Sequence, residues 1–151
     1  MINVAVLGYG TVGSGVVEVL EKNNAEISSR AGDTICVKYI LDLRDFPGDP
    51  YEAKIVHDFD MIAQDGGIDI ICEVMGGTGA AYQFTKQALE TGKSVCTSNK
   101  ELVAKHGAEL LEIARKHSCN YMFEASVGGG IPLIRPMNNA LTAERILAVT
   151  G

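Results

Sequence analysis

Ile2-Asn3-Val4-Ala5-Val6-Leu7-Gly8-Tyr9-Gly10-Thr11-Val12-Gly13 is the stretch that decides the fold. An apolar, β-branched run ends in the pattern G-x-G-x-x-G. A helical period then begins, with Val12, Val16, Val19 and Leu20 recurring at i, i+4, i+7 and i+8. In such a turn Gly8 permits the tight bend, Gly10 lets the backbone approach a pyrophosphate, and Gly13 lets helix and strand pack closely. The free N–H groups and dipole of the helix start favour phosphate. Gly8, Gly10, Thr11, Val12 and Gly13 are therefore the expected cofactor-binding residues. A glycine-rich turn kept for packing alone has the same letters, but a strand before it and an amphipathic helix after it mark a dinucleotide site.

Outward from this unit, apolar runs alternate with helix-period segments, which predicts βαβ units and a parallel sheet. The expected fold class is α/β, a Rossmann-like, doubly wound, mostly parallel sheet with helices on both faces. Strands are expected at 2–7, 35–41, 68–74, 94–97 and 120–124. Helices are expected from Thr11, over 58–65, 80–90 and 101–117, and after Gly128-Gly129-Gly130, where Pro132 suits a first helical turn. The last long helix should turn Val103, Leu110, Leu111 and Ala114 inward. Asn23–Asp33 reads as a polar loop, and Asp45–Asp58, with Pro47, Gly48 and Pro50, as irregular. Arg145–Thr150 reads as a strand with nothing after it to cover it. The expected division is a cofactor domain over 1–135 and, over 136–151, the start of a truncated substrate-binding and dimerisation domain.

Composition narrows the function. The chain has 151 residues, 46% hydrophobic and 21% charged, enough for one globular core. Its net charge of −6 disfavours nucleic acid. No apolar run approaches the ~20 residues that span a bilayer, and Met1 leads directly into a strand with no room for a signal peptide. A cytoplasmic protein is expected, with no membrane partner. The four cysteines, Cys36, Cys72, Cys96 and Cys119, show no metal-ligand spacing and are expected to be reduced and structural.

Three further stretches bear chemistry. At the end of the second strand, Asp42 is placed to hold the ribose 2′-hydroxyl of NAD, whereas Arg44 would suit the 2′-phosphate of NADP. NAD is favoured and NADP stays open, as does a plain turn-starting role for Asp42. Thr97-Ser98-Asn99-Lys100 lies where a strand gives way to a helix, at the carboxyl edge where open α/β sheets bind ligands. Lys100 sits in a first helical turn against the dipole, so a ligand role is expected, either positioning the nicotinamide ribose, polarising a carbonyl or moving a proton. Glu124 precedes Ala125-Ser126-Val127-Gly128-Gly129-Gly130-Ile131-Pro132. It could hold a hard cation with loop carbonyls, or the stretch could be a flexible hinge.

With these residues in view, the chain resembles homoserine dehydrogenases over essentially its whole length. The resemblance runs through Gly8–Gly13, Glu73-Val74-Met75-Gly76-Gly77, Thr97-Ser98-Asn99-Lys100-Glu101-Leu102-Val103-Ala104-Lys105-His106-Gly107 and Phe123–Pro132. It implies NAD(P)-dependent reduction of aspartate-4-semialdehyde to homoserine, on the route to threonine, methionine and isoleucine. It also implies that Lys100 is catalytic at the cofactor–substrate boundary and that Met75 and Gly76, with Ser98 and Asn99, flank the cofactor. Glu124 with the carbonyls of Val127, Gly129 and Ile131 would match the family's structural sodium site. Many members carry an Arg-Asp pair where this chain has Leu41-Asp42, which supports NAD. The substrate segment and a second catalytic lysine would lie beyond Gly151, so this chain alone should turn over little or no substrate. The family usually forms homodimers through its second domain, which leaves a monomeric state open for this chain. The alternatives are another semialdehyde or amino-acid dehydrogenase and a non-catalytic NAD-sensing module.

Overall fold

The computed structural model describes residues 1–150. Its strands are β1 (Ile2–Leu7), β2 (Ile35–Leu41), β3 (Ile55–Val56), β4 (Ile70–Glu73), β5 (Ser94–Thr97) and β6 (Tyr121–Met122). They form one sheet in the order β3-β2-β1-β4-β5-β6, and every neighbouring pair is parallel. Parallel neighbours require crossover connections, which here are largely helical: α1 (Thr11–Lys22), α2 (Asn24–Ala31), α3 (Phe59–Ala63), α4 (Gly79–Glu90) and α5 (Lys100–Lys116). The chain steps outward from β1 to β3, then returns to the other side of β1. That reversal opens a crevice between the carboxyl ends of β1 and β4, the usual ligand site of an open α/β sheet.

Alternation along β1 builds two cores. Ala5 and Leu7 join Ile71, Val95 and Tyr121 under α3, α4 and α5, while Val4 and Val6 join Val37, Ile40 and Val17 under α1. Val17, Leu102 and Leu110 are fully buried, each contributing about 1.5–3 kcal/mol by removal from water.

Several expectations are corrected. Asn23–Asp33 holds α2, ended by Gly32 in the left-handed region at φ 78°. The Asn24 amide ties the helix to the Ile35 carbonyl at 2.6 Å. Helix α1 is rotated from its expected face: Gly13 and Val17 are buried, while Val12 and Val19 stay about half exposed. In α5 the buried set is Leu102, Gly107, Leu110 and Ala114, with Val103 and Leu111 at its margin. Strand β6 ends at Met122, and Glu124 instead opens the single helical turn α6 (Glu124–Val127). The next regular turn is π-helical, Pro136–Ala140, opened by Pro136 rather than Pro132. Arg145–Thr150 forms no strand. A strand exists through its partner, and β6 offers an edge of only Tyr121–Met122, so Leu147 stands 84% exposed.

Candidate cofactor site

The fingerprint turn is shaped by two close approaches. Gly8 has φ +98°, and a Cβ there would meet the Met75 side chain at 3.2 Å and the Val74 carbonyl at 3.3 Å. A Cβ on Gly13 would lie 1.8 Å from the Gly8 carbonyl oxygen. Helix α1 therefore seats directly on the end of β1, and this contact sets the rotation that buries Val17. Gly10 differs, because a Cβ there meets nothing within 4 Å. Gly10 is the N-cap of α1 and supplies no side-chain bond to the helix start. The first-turn N–H groups, those of Thr11, Val12 and Gly13 included, thus lack a side-chain cap.

This turn forms one wall of a 530 Å³ cleft lined also by Asp42, Arg44, His57, Met75 and Gly76. An uncapped helix start beside open space is what a phosphate-bearing dinucleotide needs, so the residues present fit that group.

Asp42 closes the β2 end of the cleft. Its carboxylate accepts from the Tyr9 N–H at 2.8 Å and the Arg44 N–H at 3.0 Å. It also accepts from both prongs of the Arg44 guanidinium, each at 3.0 Å. The bidentate arginine, despite burial, holds the Asp42 carboxyl well below the usual carboxylate range, helped by the two backbone donors. Two carboxylate oxygens offer about four lone-pair sites, and these four bonds fill them. Arg44 also lies over the Phe46 ring at 4.9 Å. The sequence left Asp42 and Arg44 as alternatives, yet the fold makes them one ion pair.

Glu73, at the end of β4, was not expected in the site. It is wholly buried, accepts from the Met75 N–H at 2.8 Å and receives the Thr97 hydroxyl. Burial pushes its carboxyl up despite those donors. The Thr97 hydroxyl in turn accepts from the Asn99 N–H at 2.9 Å. Asn99 caps α5 by accepting from the Leu102 N–H at 3.0 Å, and its amide donates to the Gly77 carbonyl at 2.7 Å. The β4 and β5 turns are thus laced together, with Asn99 buried and occupied in holding the Met75–Gly77 loop. A buried acid at a strand end, level with a threonine on the neighbouring strand, was the signal available in the sequence.

The remaining residues separate. Ser98, Val12 and Glu124 line a second cleft of 310 Å³. Lys100 is the first residue of α5 and exposed. It shares the carboxyl edge with the fingerprint turn but lines neither cleft. The Glu124 carboxylate accepts from the N–H groups of Leu133, Ile134 and Arg135, the last two at 2.8 Å. These bonds, led by that from Leu133, hold its carboxyl low. Gly129 and Ile131 line a 220 Å³ hollow with Glu124, and Val127 ends the α6 turn beside it. Carboxylate and carbonyl oxygens suit a hard cation, and about one lone-pair site of Glu124 remains for it.

The family model described as "Homoserine dehydrogenase, NAD binding domain" matches residues 8–124. The homoserine dehydrogenase of Pseudomonas aeruginosa is 40% identical over 151 residues, covering 99% of this chain and 35% of that protein. That of Neisseria gonorrhoeae is 37% identical over 153 residues, with the same coverage of 99% and 35%. The crystal structure of a homoserine dehydrogenase from Thiobacillus denitrificans superposes with a TM-score of 0.86 at 39% identity, covering 95% of this chain and 34% of that one. The chain spans about a third of the length of the curated relatives it matches. With an open crevice beside the fingerprint turn and this likeness over nearly its whole length, the chain belongs to the homoserine dehydrogenase family, residues 8–124 matching its NAD-binding domain.

Proposed function

We propose that this chain is the cofactor-binding part of an NAD(P)-dependent homoserine dehydrogenase, acting in amino-acid biosynthesis in the cytoplasm. The observation that carries the reading is Gly10, where an absent side chain leaves open space beside an uncapped helix start. Gly8, Gly10, Thr11, Val12 and Gly13 would hold the pyrophosphate. Asp42 would meet the adenosine ribose, with Met75, Gly76 and Ser98 flanking the far half and Asn99 holding their loop.

When bound, the nicotinamide ring supplies the hydride. Lys100 would hold a proton at Nζ for the carbonyl oxygen of aspartate-4-semialdehyde and stabilise the charge that develops there. The rest of the substrate contacts, and any homodimer contacts, would come from a longer protein. Glu124 with the Val127, Gly129 and Ile131 carbonyls would hold a structural sodium ion.

NAD is the favoured cofactor. Asp42 can take up a 2′-hydroxyl by releasing one bond to Arg44, whereas a 2′-phosphate would meet the carboxylate's negative charge. Arg44, once released, would soften that repulsion, so NADP should bind more weakly rather than not at all. Titration of the chain with NADH and NADPH tests this: tighter NADH binding is expected, and Asp42→Asn should narrow the gap. Equal affinities unchanged by that substitution would remove Asp42 as the selector. In a protein of the relatives' length, Lys100→Ala should lower turnover far more than cofactor affinity, and unchanged turnover would exclude a catalytic role.

A further inference from the structure

We propose that Cys72 and Cys96 form a two-thiol site that closes to an intrachain disulfide on meeting a small-molecule disulfide such as oxidised glutathione. The two residues are partners in register across β4 and β5, and their sulfurs lie 3.3 Å apart in hydrogen-bonding contact. Neighbouring strands run about 4.7–4.9 Å apart, within the range of about 4.4–6.8 Å between Cα atoms that a disulfide spans. Closing the bond to about 2.05 Å therefore asks for side-chain movement rather than strand movement. Both thiols are part-exposed and line the 310 Å³ cleft beside Val12, Val16 and Met122. That cleft gives a reagent its approach.

The other cysteines offer a contrast. Cys36 contacts the Val37 carbonyl, and Cys119 contacts the Leu89 and Ala114 carbonyls. Of the four cysteines, Cys72 and Cys96 meet sulfur to sulfur, the Cys96 thiol donating to Cys72. The attacking sulfur is whichever of the two ionises first, because the thiolate is the nucleophile.

That thiolate bonds to one sulfur of oxidised glutathione, whose S–S bond breaks and releases one glutathione thiolate. The partner cysteine's thiolate then bonds to that protein sulfur and expels the second glutathione. Two cysteine thiols lose two electrons together, one small disulfide gains them, and the two protons pass to the departing glutathiones. The bond would staple β4 to β5 one residue before Glu73 and Thr97, whose contact laces the two site turns. The site needs no bound cofactor, so its test stands apart from the proposed function.

The 151-residue chain is equilibrated in glutathione buffers of increasing oxidising strength, quenched by alkylation and mapped by mass spectrometry. The expected result is loss of two of its four thiols, one linked peptide pair containing Cys72 and Cys96, and full reversal by dithiothreitol. The double variant Cys36→Ser/Cys119→Ser should behave identically, and Cys72→Ser should accumulate a single glutathione on Cys96. Retention of all four thiols, pairing through Cys36 or Cys119, or linkage only in urea would overturn the proposal. Should Cys72→Ser not fold, the wild-type and double-variant maps decide the matter by themselves.

Discussion

Replacing Gly13 by alanine puts the packing of α1 on the cofactor turn to a direct test. The new Cβ would lie 1.8 Å from the Gly8 carbonyl oxygen and 3.3 Å from the Val74 side chain. The first neighbour is backbone, so α1 must retreat by about 1.2 Å to reach even a 3.0 Å contact. Against a backbone atom that cannot rotate away, overpacking falls at the upper end of its usual range, about 2–3 kcal/mol, and the retreat loosens the buried Val17. Alanine's better helix propensity returns up to about 1 kcal/mol, leaving a net loss of about 1–2 kcal/mol. For a chain of this size that lowers Tm by about 2–8 °C. Gly15→Ala is the internal control. It lies two positions along the same helix with nothing within 4 Å of its Cβ, so it should gain about 0.5–1 kcal/mol. Thermal unfolding by circular dichroism reads both variants. Equal or greater stability of Gly13→Ala, with NADH binding intact, would refute the seating of α1 on Gly8.

Other consequences follow from the same site. Asp42 has a folded pKa depressed below its ordinary value of 3.8, so its contribution to stability is full above about pH 4 and is lost as acid takes the pH lower. Asp42→Asn should lower stability at pH 7 and flatten this acid limb in denaturant titrations; an unchanged limb would contradict the Arg44 pairing. Glu73 has the opposite sign. Its pKa is raised from 4.5, so stability is greatest below that value and falls as pH rises through the folded pKa. Glu73→Gln keeps an acceptor for the Met75 N–H and should flatten the decline, raising Tm at pH 8 relative to the parent. Asn99→Ala should cost about 1 kcal/mol as a lost cap and weaken NADH binding. Asn99→Asp keeps the cap but loses the donor to Gly77, so it should restore stability without restoring affinity.

The parts of this fold legible in the sequence are those where one local signal points one way. The β1–turn–α1 unit reads cleanly because an apolar run, a glycine fingerprint and a helical period follow one another, and β2 and β5 fall on the predicted residues. Helix α2 escaped because Asn24–Ala31 buries no residue. It is held by two polar bonds, the Asn24 amide donating to the Ile35 carbonyl and the Ile35 N–H donating to the Ser28 hydroxyl, which no periodicity displays. The face of α1 was misjudged because the tightest contact belongs to Gly13, which carries no hydrophobic signal at all. Asp42 was identified as important, but the chelation by Arg44 depends on the conformation of the turn between them. Glu124 reads equally as a cation ligand or a hinge residue, and only the folded chain shows its carboxylate receiving Leu133, Ile134 and Arg135.

The central claim is that the crevice beside Gly10 is a dinucleotide site, and Gly10→Val measures it most directly. The added side chain meets no protein atom within 4 Å at its Cβ, and the backbone there is extended, with φ −87°, so the fold should tolerate valine. NADH titrated into the parent chain should bind saturably at one site. The valine variant should unfold at the parent's temperature yet lose binding by at least about tenfold, or about 1.4 kcal/mol. A folded parent that binds no NADH, or a valine variant that binds it as well as the parent, would contradict the account.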